Sequence, residues 1–167
     1  MSDTKTVLDM IKENDVEFVD FRFTDPRGKW QHTAQHVSTI DEDLLTEGIM
    51  FDGSSIAGWK AINESDMILM PDLSSAVMDP FTAQTQLILF CDILEPATGE
   101  SYTRDPRGTA KLALAYLESS GVGDAAFFGP EAEFFVFDDV RFENSMNRSF
   151  YEVDSIEGPY NTGADYP

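Results

Sequence analysis

The sequence predicts an α+β protein in two parts, and three observations say so. Period-two alternation on either side of a Pro/Gly turn, between residues 16 and 37, marks a hairpin. Two more apolar runs of strand length, Met67 to Met70 and Leu87 to Ile93, are punctuated by Pro71 and Pro80. After the turn Glu95 to Glu100, the pair Asp105-Pro106 opens a strong helical pattern. The first part is thus a small mixed sheet. The second is the start of an α/β unit without its remainder, and the boundary falls near residues 99–105.

Each element has a local cause. Residues 5–13 predict a short helix with a Val7, Met10, Ile11 stripe, capped by Asp3 or Thr4. Val16 to Phe23 predicts a strand with Val19, Phe21 and Phe23 on one face. Asp25-Pro26-Arg27-Gly28 turns the chain, since Pro presets φ and Gly tolerates positive φ. Trp30 to Val37 returns as the second strand. Asp41 to Glu47 predicts a brief acidic helix ending at Gly48. Residues 48–64, rich in Gly and Ser, read as a loop. Asp105 suits a helix N-cap, Pro106 the first helical position and Gly121 the C-terminal stop. Ala125 to Phe137 predicts one long aromatic strand. Beyond Phe142 the pattern dissolves into polar residues, and the chain reads as cut rather than finished at Tyr166-Pro167.

Composition narrows the function. Net charge is −20, from 31 acids against 11 Lys and Arg. That balance argues against sequence-independent nucleic-acid binding, which needs basic side chains. A hydrophobic content of 42% with 12% aromatics supports a packed core rather than disorder. Cys91 is the single cysteine and lies in an apolar run, so it reads as a buried thiol. The start Met1-Ser2-Asp3-Thr4 has neither the basic nor the apolar part of a signal peptide, and no run approaches the ~20 residues of a membrane span. The expected location is the cytoplasm, where the Asn-X-Ser matches at Asn63 and Asn147 mean nothing.

Two segments carry chemistry. In Gly129-Pro130-Glu131-Ala132-Glu133-Phe134-Phe135 a strand would point Glu131 and Glu133 the same way, with Cα atoms about 6.5–7 Å apart. Two carboxylates that close among phenylalanines need a neutralising cation, and hard divalent ions with oxygen ligands fit. Acids on the solvent face of an edge strand are the plainer reading of the spacing. In Phe51-Asp52-Gly53-Ser54-Ser55-Ile56-Ala57-Gly58-Trp59-Lys60 the small residues let the backbone turn sharply. Asp52 there could act as a general base, bind a cationic ligand or simply form an Asx turn. His32 and His36 lie four apart in a strand with no third ligand near, and read as structural. Gly121-Val122-Gly123-Asp124-Ala125-Ala126 matches a dinucleotide fingerprint in the wrong context, after a helix and before a strand.

Together these segments resemble bacterial type I glutamine synthetase. The resemblance rests on Phe51 to Ile56 with Gly58-Trp59 and Asn63-Glu64-Ser65-Asp66-Met67, on Arg104-Asp105-Pro106-Arg107, and on Gly129 to Phe135, in matching order and separation. It runs through nearly the whole chain but covers only the N-terminal part of the family's polypeptide. After the N-terminal helix segment 1–14, it implies a β-grasp domain over 15–99 and an incomplete catalytic domain from 107 to 167. It implies an ATP-dependent glutamate–ammonia ligase that works through γ-glutamyl phosphate with two Mg²⁺ or Mn²⁺ ions. Glu131 would hold the ion on the nucleotide phosphates and Glu133 the ion on the glutamate side. Asp52 would bind ammonium and take its proton, and Ser55 would line the same pocket.

The resemblance further implies a homo-oligomer of two stacked hexameric rings in which the Asp52 loop serves a neighbouring subunit's site. No role is carried onto Trp59 or Asp66. Ala132 and Ala57 depart from the Pro and Gly common in the family. The remaining metal ligands, the glutamate-binding arginines, the nucleotide pocket and any adenylylation tyrosine are absent, so the 167-residue chain alone is expected to be inactive. Two other readings stand beside this one: an acidic β-grasp interaction module, and a regulatory subunit that inserts its loop into complete rings.

Overall fold

A computed structural model describes residues 3–160. It divides into two compact units, the first ending at Ala126 and the second beginning at Phe127.

The first unit opens with helix α1, Thr4–Glu13, whose N-cap Asp3 accepts hydrogen bonds from the Thr6 amide and hydroxyl, both at 2.8 Å. Those bonds satisfy a donor the first helical turn leaves free. Val7 and Ile11 bury the predicted stripe. Strand β1, Phe18–Thr24, and strand β2, Trp30–His36, form the expected antiparallel hairpin. Asp25 closes the turn by accepting from the Arg27 and Lys29 amides at 2.9 and 3.0 Å. Helix α2, Glu42–Glu47, is capped by Asp41 and stops at Gly48 with φ of +81°. A Cβ on Gly48 would also lie 2.6 Å from the Leu69 carbonyl oxygen, so both conformation and space require glycine here.

The sheet is completed by β3, Ile49–Asp52, β4, Asp66–Pro71, β5, Val77–Met78, and β6, Gln86–Leu94. The strand order is β2-β1-β6-β4-β3, and β5 also pairs with β6. Only the β1–β6 pair is parallel. Strand β6 lies at the centre because it is apolar on both faces, with Leu87, Leu89, Cys91 and Ile93 on one and Ile88 on the other. The first face meets Val7, Ile11, Leu45, Val19, Phe21, Met67 and Leu69 in a single core. Each such aliphatic side chain stabilises the fold by about 1.5–3 kcal/mol relative to exposure. Cys91 is buried as expected, and burial pushes its thiol pKa well up, which leaves it inert.

Helix α3, Pro106–Ser120, begins and ends as its sequence predicts, with Asp105 at the N-cap and Gly121 in the left-handed region at φ of +68°. The buried Asp105 carboxylate accepts from the Arg107 and Gly108 amides and also from the Ile93 amide in β6. Arg107 bridges Asp72 and Asp92, and Lys111 reaches Asp92, so the helix start is pinned to the sheet by ions as well.

Three expectations need correction. Residues 48–64 are not all loop, because β3 occupies the first of them, and β5 was not anticipated. Strands of four and two residues are too short for alternation to register. Beyond Phe142 the chain is ordered as a hairpin of β7, Asp139–Asn144, and β8, Ser149–Asp154. Its strands are joined by charge rather than apolar alternation: Arg141 reaches across to Asp154 at 2.8 Å and to Glu152 at 3.8 Å.

The third correction bears on the site. Residues 125–137 form no strand. Phe127, Phe128, Phe134 and Phe135 are 96%, 91%, 81% and 85% exposed. A strand exists only through its neighbours' hydrogen bonds, and among the described residues this segment has none.

Candidate functional site

The Asp52 loop is built from its two ends. Strand β3 ends with Phe51 opposite Met67 and Asp52 opposite Asp66. The chain then enters a 3-10 turn, Gly53–Ser55. Gly53 donates its amide to the Ser65 carbonyl at 2.7 Å. A Cβ on Gly53 would lie 2.2 Å from Met67 Sδ, so the loop passes the core at a distance only glycine allows. On the far side, Trp59 is buried against Phe23, Phe51 and Tyr102, with ring centroids 5.6, 6.1 and 5.6 Å away. Lys60 pairs with Glu95 at 2.6 Å. Arg104 donates from Nη1 to the carbonyls of Gly58 and Trp59 at 2.5 and 3.4 Å.

Asp52 itself is exposed. One of its oxygens accepts from the Ser54 hydroxyl at 2.6 Å and the Ser54 amide at 2.8 Å. The hydroxyl bond first, then the amide bond, holds its pKa below the ordinary 3.8. The carboxylate therefore stays charged throughout the neutral range. Its Asx turn and a binding role are compatible, because the carboxylate remains exposed while it makes the turn.

Asp52 and Ser55 line one cleft of about 330 Å³. Its opposite wall comes from β2, with Gln31, Thr33 and Gln35. Strands β2 and β3 are the two ends of the strand order, so the sheet curls until its edges face one another across this cleft. The wall of β2 was not foreseen. The polar residues on the inward positions of an otherwise regular hairpin were the available signal.

Glu131 and Glu133 belong to the second unit. Both are exposed, in a segment without secondary structure, so a shared strand face does not arrange them. The donor chemistry still suits a hard divalent ion: two carboxylates, neither engaged in an ion pair among the described residues. Among those residues no group of three or more His, Cys, Asp or Glu is placed to hold a metal ion.

His32 and His36 each engage local partners, and His32 also lines the cleft with Gln31 and Thr33. His32 Nδ1 lies 2.7 Å from the buried Asp20 carboxylate, which also accepts from Arg22 Nε at 2.7 Å. His36 Nδ1 accepts from the Ser38 amide at 3.2 Å. No helix among the described residues is long and apolar enough to cross a membrane.

Comparison with known proteins supplies the family. Residues 15–96 match the model for the glutamine synthetase β-grasp domain, and residues 103–166 match that for the glutamine synthetase catalytic domain. A glutamine synthetase of Azospirillum brasilense is 66% identical over 166 residues, covering 99% of this chain and 36% of that protein. One from Azorhizobium caulinodans is 61% identical, covering 99% of this chain and 35% of that protein. The chain thus spans about a third of the length of these relatives. A cryo-EM structure of Plasmodium falciparum glutamine synthetase superposes with a TM-score of 0.69 at 24% identity, over 92% of this chain and 30% of that one, and supports the fold. With both domain models matched in order, the chain belongs to the glutamine synthetase family.

Proposed function

We propose that this chain works within a longer cytoplasmic polypeptide as part of an ATP-dependent glutamate–ammonia ligase. In that reaction the γ-carboxylate of glutamate is phosphorylated and ammonia then displaces phosphate. The domain organisation read from sequence is retained: β-grasp over 15–99, catalytic domain from 107 onward.

The observation that carries the reading is Asp52. Its carboxylate is held ionised, exposed and beside Ser55 at the rim of one cleft. A fixed anion with a hydroxyl neighbour suits ammonium, which offers only donors. Asp52 binds the cation and accepts a proton from it, since only neutral ammonia has the lone pair to attack. Ser55 Oγ accepts a second ammonium N–H. The glycine-tight passage at Gly53 and the fastening at Gly58 to Lys60 keep the pair in register.

Glu131 and Glu133 are proposed as ligands of separate Mg²⁺ or Mn²⁺ ions, on the nucleotide and glutamate sides. When bound, such ions neutralise charge on a transferring phosphoryl group, which needs that help more than covalent assistance. The resemblance supports an assembly of two stacked hexameric rings with sites between subunits. No specific observation favours the interaction-module or regulatory-subunit readings.

The test uses a full-length synthetase carrying this sequence. Asp52→Asn is expected to lower ammonium-dependent turnover by about 100-fold or more while ATP and glutamate still bind. Unchanged turnover and an unchanged KM for ammonium in that variant would remove Asp52 from the reaction.

A further inference from the structure

The loop bearing Asp52 and Ser55 is free of secondary structure between the 3-10 turns at Gly53–Ser55 and Ile62–Glu64, yet its backbone is not loose. Its far limb, Gly58 to Lys60, is fastened to the connector that leads from β6 to α3. Three contacts of different kinds do this. Arg104 Nη1 donates to the Gly58 carbonyl at 2.5 Å and reaches the Trp59 carbonyl at 3.4 Å. Lys60 pairs with Glu95 and lies 5.4 Å from the centre of the Tyr102 ring. Trp59 packs edge-on to the same ring. Tyr102 is buried, and its amide is tied to the Ile93 carbonyl at 2.8 Å.

Of these groups Arg104 stands apart, because it is exposed and holds backbone rather than a side chain. A surface arginine that donates to two successive carbonyls of a distant loop adds little to the core. What it does is set the position of those carbonyls. Gly58 has φ of +87°, a conformation the backbone adopts easily only at glycine and leaves as easily. The guanidinium bonds the carbonyl of that same hinge. Arg104 is followed directly by Asp105, whose carboxylate is locked to the amides of Ile93, Arg107 and Gly108. The anchor therefore adjoins a junction held by three amide bonds to one buried carboxylate.

We propose that Arg104 is a positioning residue for the ammonium site: it holds the Gly58 hinge so that Asp52 and Ser55 keep their place on the cleft. This rests on the assignment of Asp52 and Ser55 to ammonium binding. Arg104 touches neither of them and acts through the backbone between.

The experiment compares Arg104→Met, Arg104→Lys and Asp52→Asn in the full-length synthetase. Loss of a charge-assisted bond to a hinge carbonyl is expected to raise the KM for ammonium about tenfold in Arg104→Met, while the KM for ATP moves by no more than about twofold. Arg104→Lys, which keeps one donor in reach, is expected to recover part of the loss. In the 167-residue chain, Arg104→Met is expected to speed amide hydrogen exchange at Gly58 to Lys60 and leave β6 unchanged. Unchanged ammonium KM and unchanged exchange in Arg104→Met, with Asp52→Asn still crippled, overturn the positioning role and leave the site assignment standing. A silent Asp52→Asn overturns the assignment, and the positioning role with it. If Arg104→Met fails to fold, Arg104→Lys and Arg104→Gln carry the same comparison.

Discussion

Replacing Asp105 with alanine tests how the first unit is held together. The side chain is 0% exposed. It accepts from the Ile93 amide at 3.2 Å and from the Arg107 and Gly108 amides, both at 3.1 Å. Removing it deletes a helix cap, which costs about 1 kcal/mol. It also strands the Ile93 N–H inside the sheet, at about 1–3 kcal/mol for an unsatisfied buried donor. Against this stands the burial of the carboxylate, which pushes its pKa above 3.8, with repulsion from Asp92 adding to the rise. The net loss expected for Asp105→Ala is about 2–3 kcal/mol. Urea unfolding followed by tryptophan fluorescence reads it, since Trp30 and Trp59 both lie in this unit.

The pH dependence of that loss has a definite sign. The folded pKa of Asp105 is raised, so its full contribution is present below the unfolded value near 3.8 and shrinks as pH climbs through the folded value. Asp105→Asn cannot ionise. The stability gap between the wild-type chain and Asp105→Asn is therefore widest in acid and narrower at neutral pH. A loss under about 0.5 kcal/mol for Asp105→Ala, or a gap that widens toward neutral pH, refutes the reasoning.

Further expectations concern the loop. Ser54→Ala removes the hydroxyl bond that most lowers the Asp52 pKa, so the carboxyl titration followed by carbon NMR moves up toward 3.8. Because the folded value is depressed in the wild-type chain, the stability linked to Asp52 is present above the unfolded 3.8 and is lost as pH falls from there through the lower folded value. Gly53→Ala forces a Cβ to within 2.2 Å of Met67 Sδ, and a melting temperature lowered by the equivalent of about 1–3 kcal/mol is expected, with an unchanged value counting against the tight passage. In the full-length synthetase, Glu131→Gln and Glu133→Gln should each raise the Mn²⁺ concentration needed for half-maximal turnover, and an identical metal requirement would exclude both as ligands.

Legibility in the sequence followed the range of the cause. The cap Asp105 and the stops Gly48 and Gly121 act within one helical turn and are legible at their own positions; the first helix left a choice between Asp3 and Thr4, which the structure gives to Asp3, and Asp41 proves to be a cap rather than the first helical residue. The inward face Val19, Phe21, Phe23 follows from the pleat alone. Asp52 drew notice because small residues crowd around an acid, whereas Ser55 entered only through the family resemblance. By contrast, β5 exists only because β6 offers it an edge, and the β7–β8 hairpin depends on ion pairs that periodicity does not see. The stretch from Ala125 to Phe137 shows the same rule from the other side. Its composition suits a strand, and without neighbours it is none.

For the site, the residues alone determined which groups could do chemistry: an acid on a glycine-rich turn, and two carboxylates one residue apart. Tertiary structure decided the rest. The curl of the sheet brings β2 across from β3 and makes a cleft out of two edges, and a distant arginine fixes the hinge of the loop between them. Side-chain chemistry is a property of a residue and can be read wherever it stands. A cleft is a property of distances between segments far apart along the chain, and only the packed core sets those.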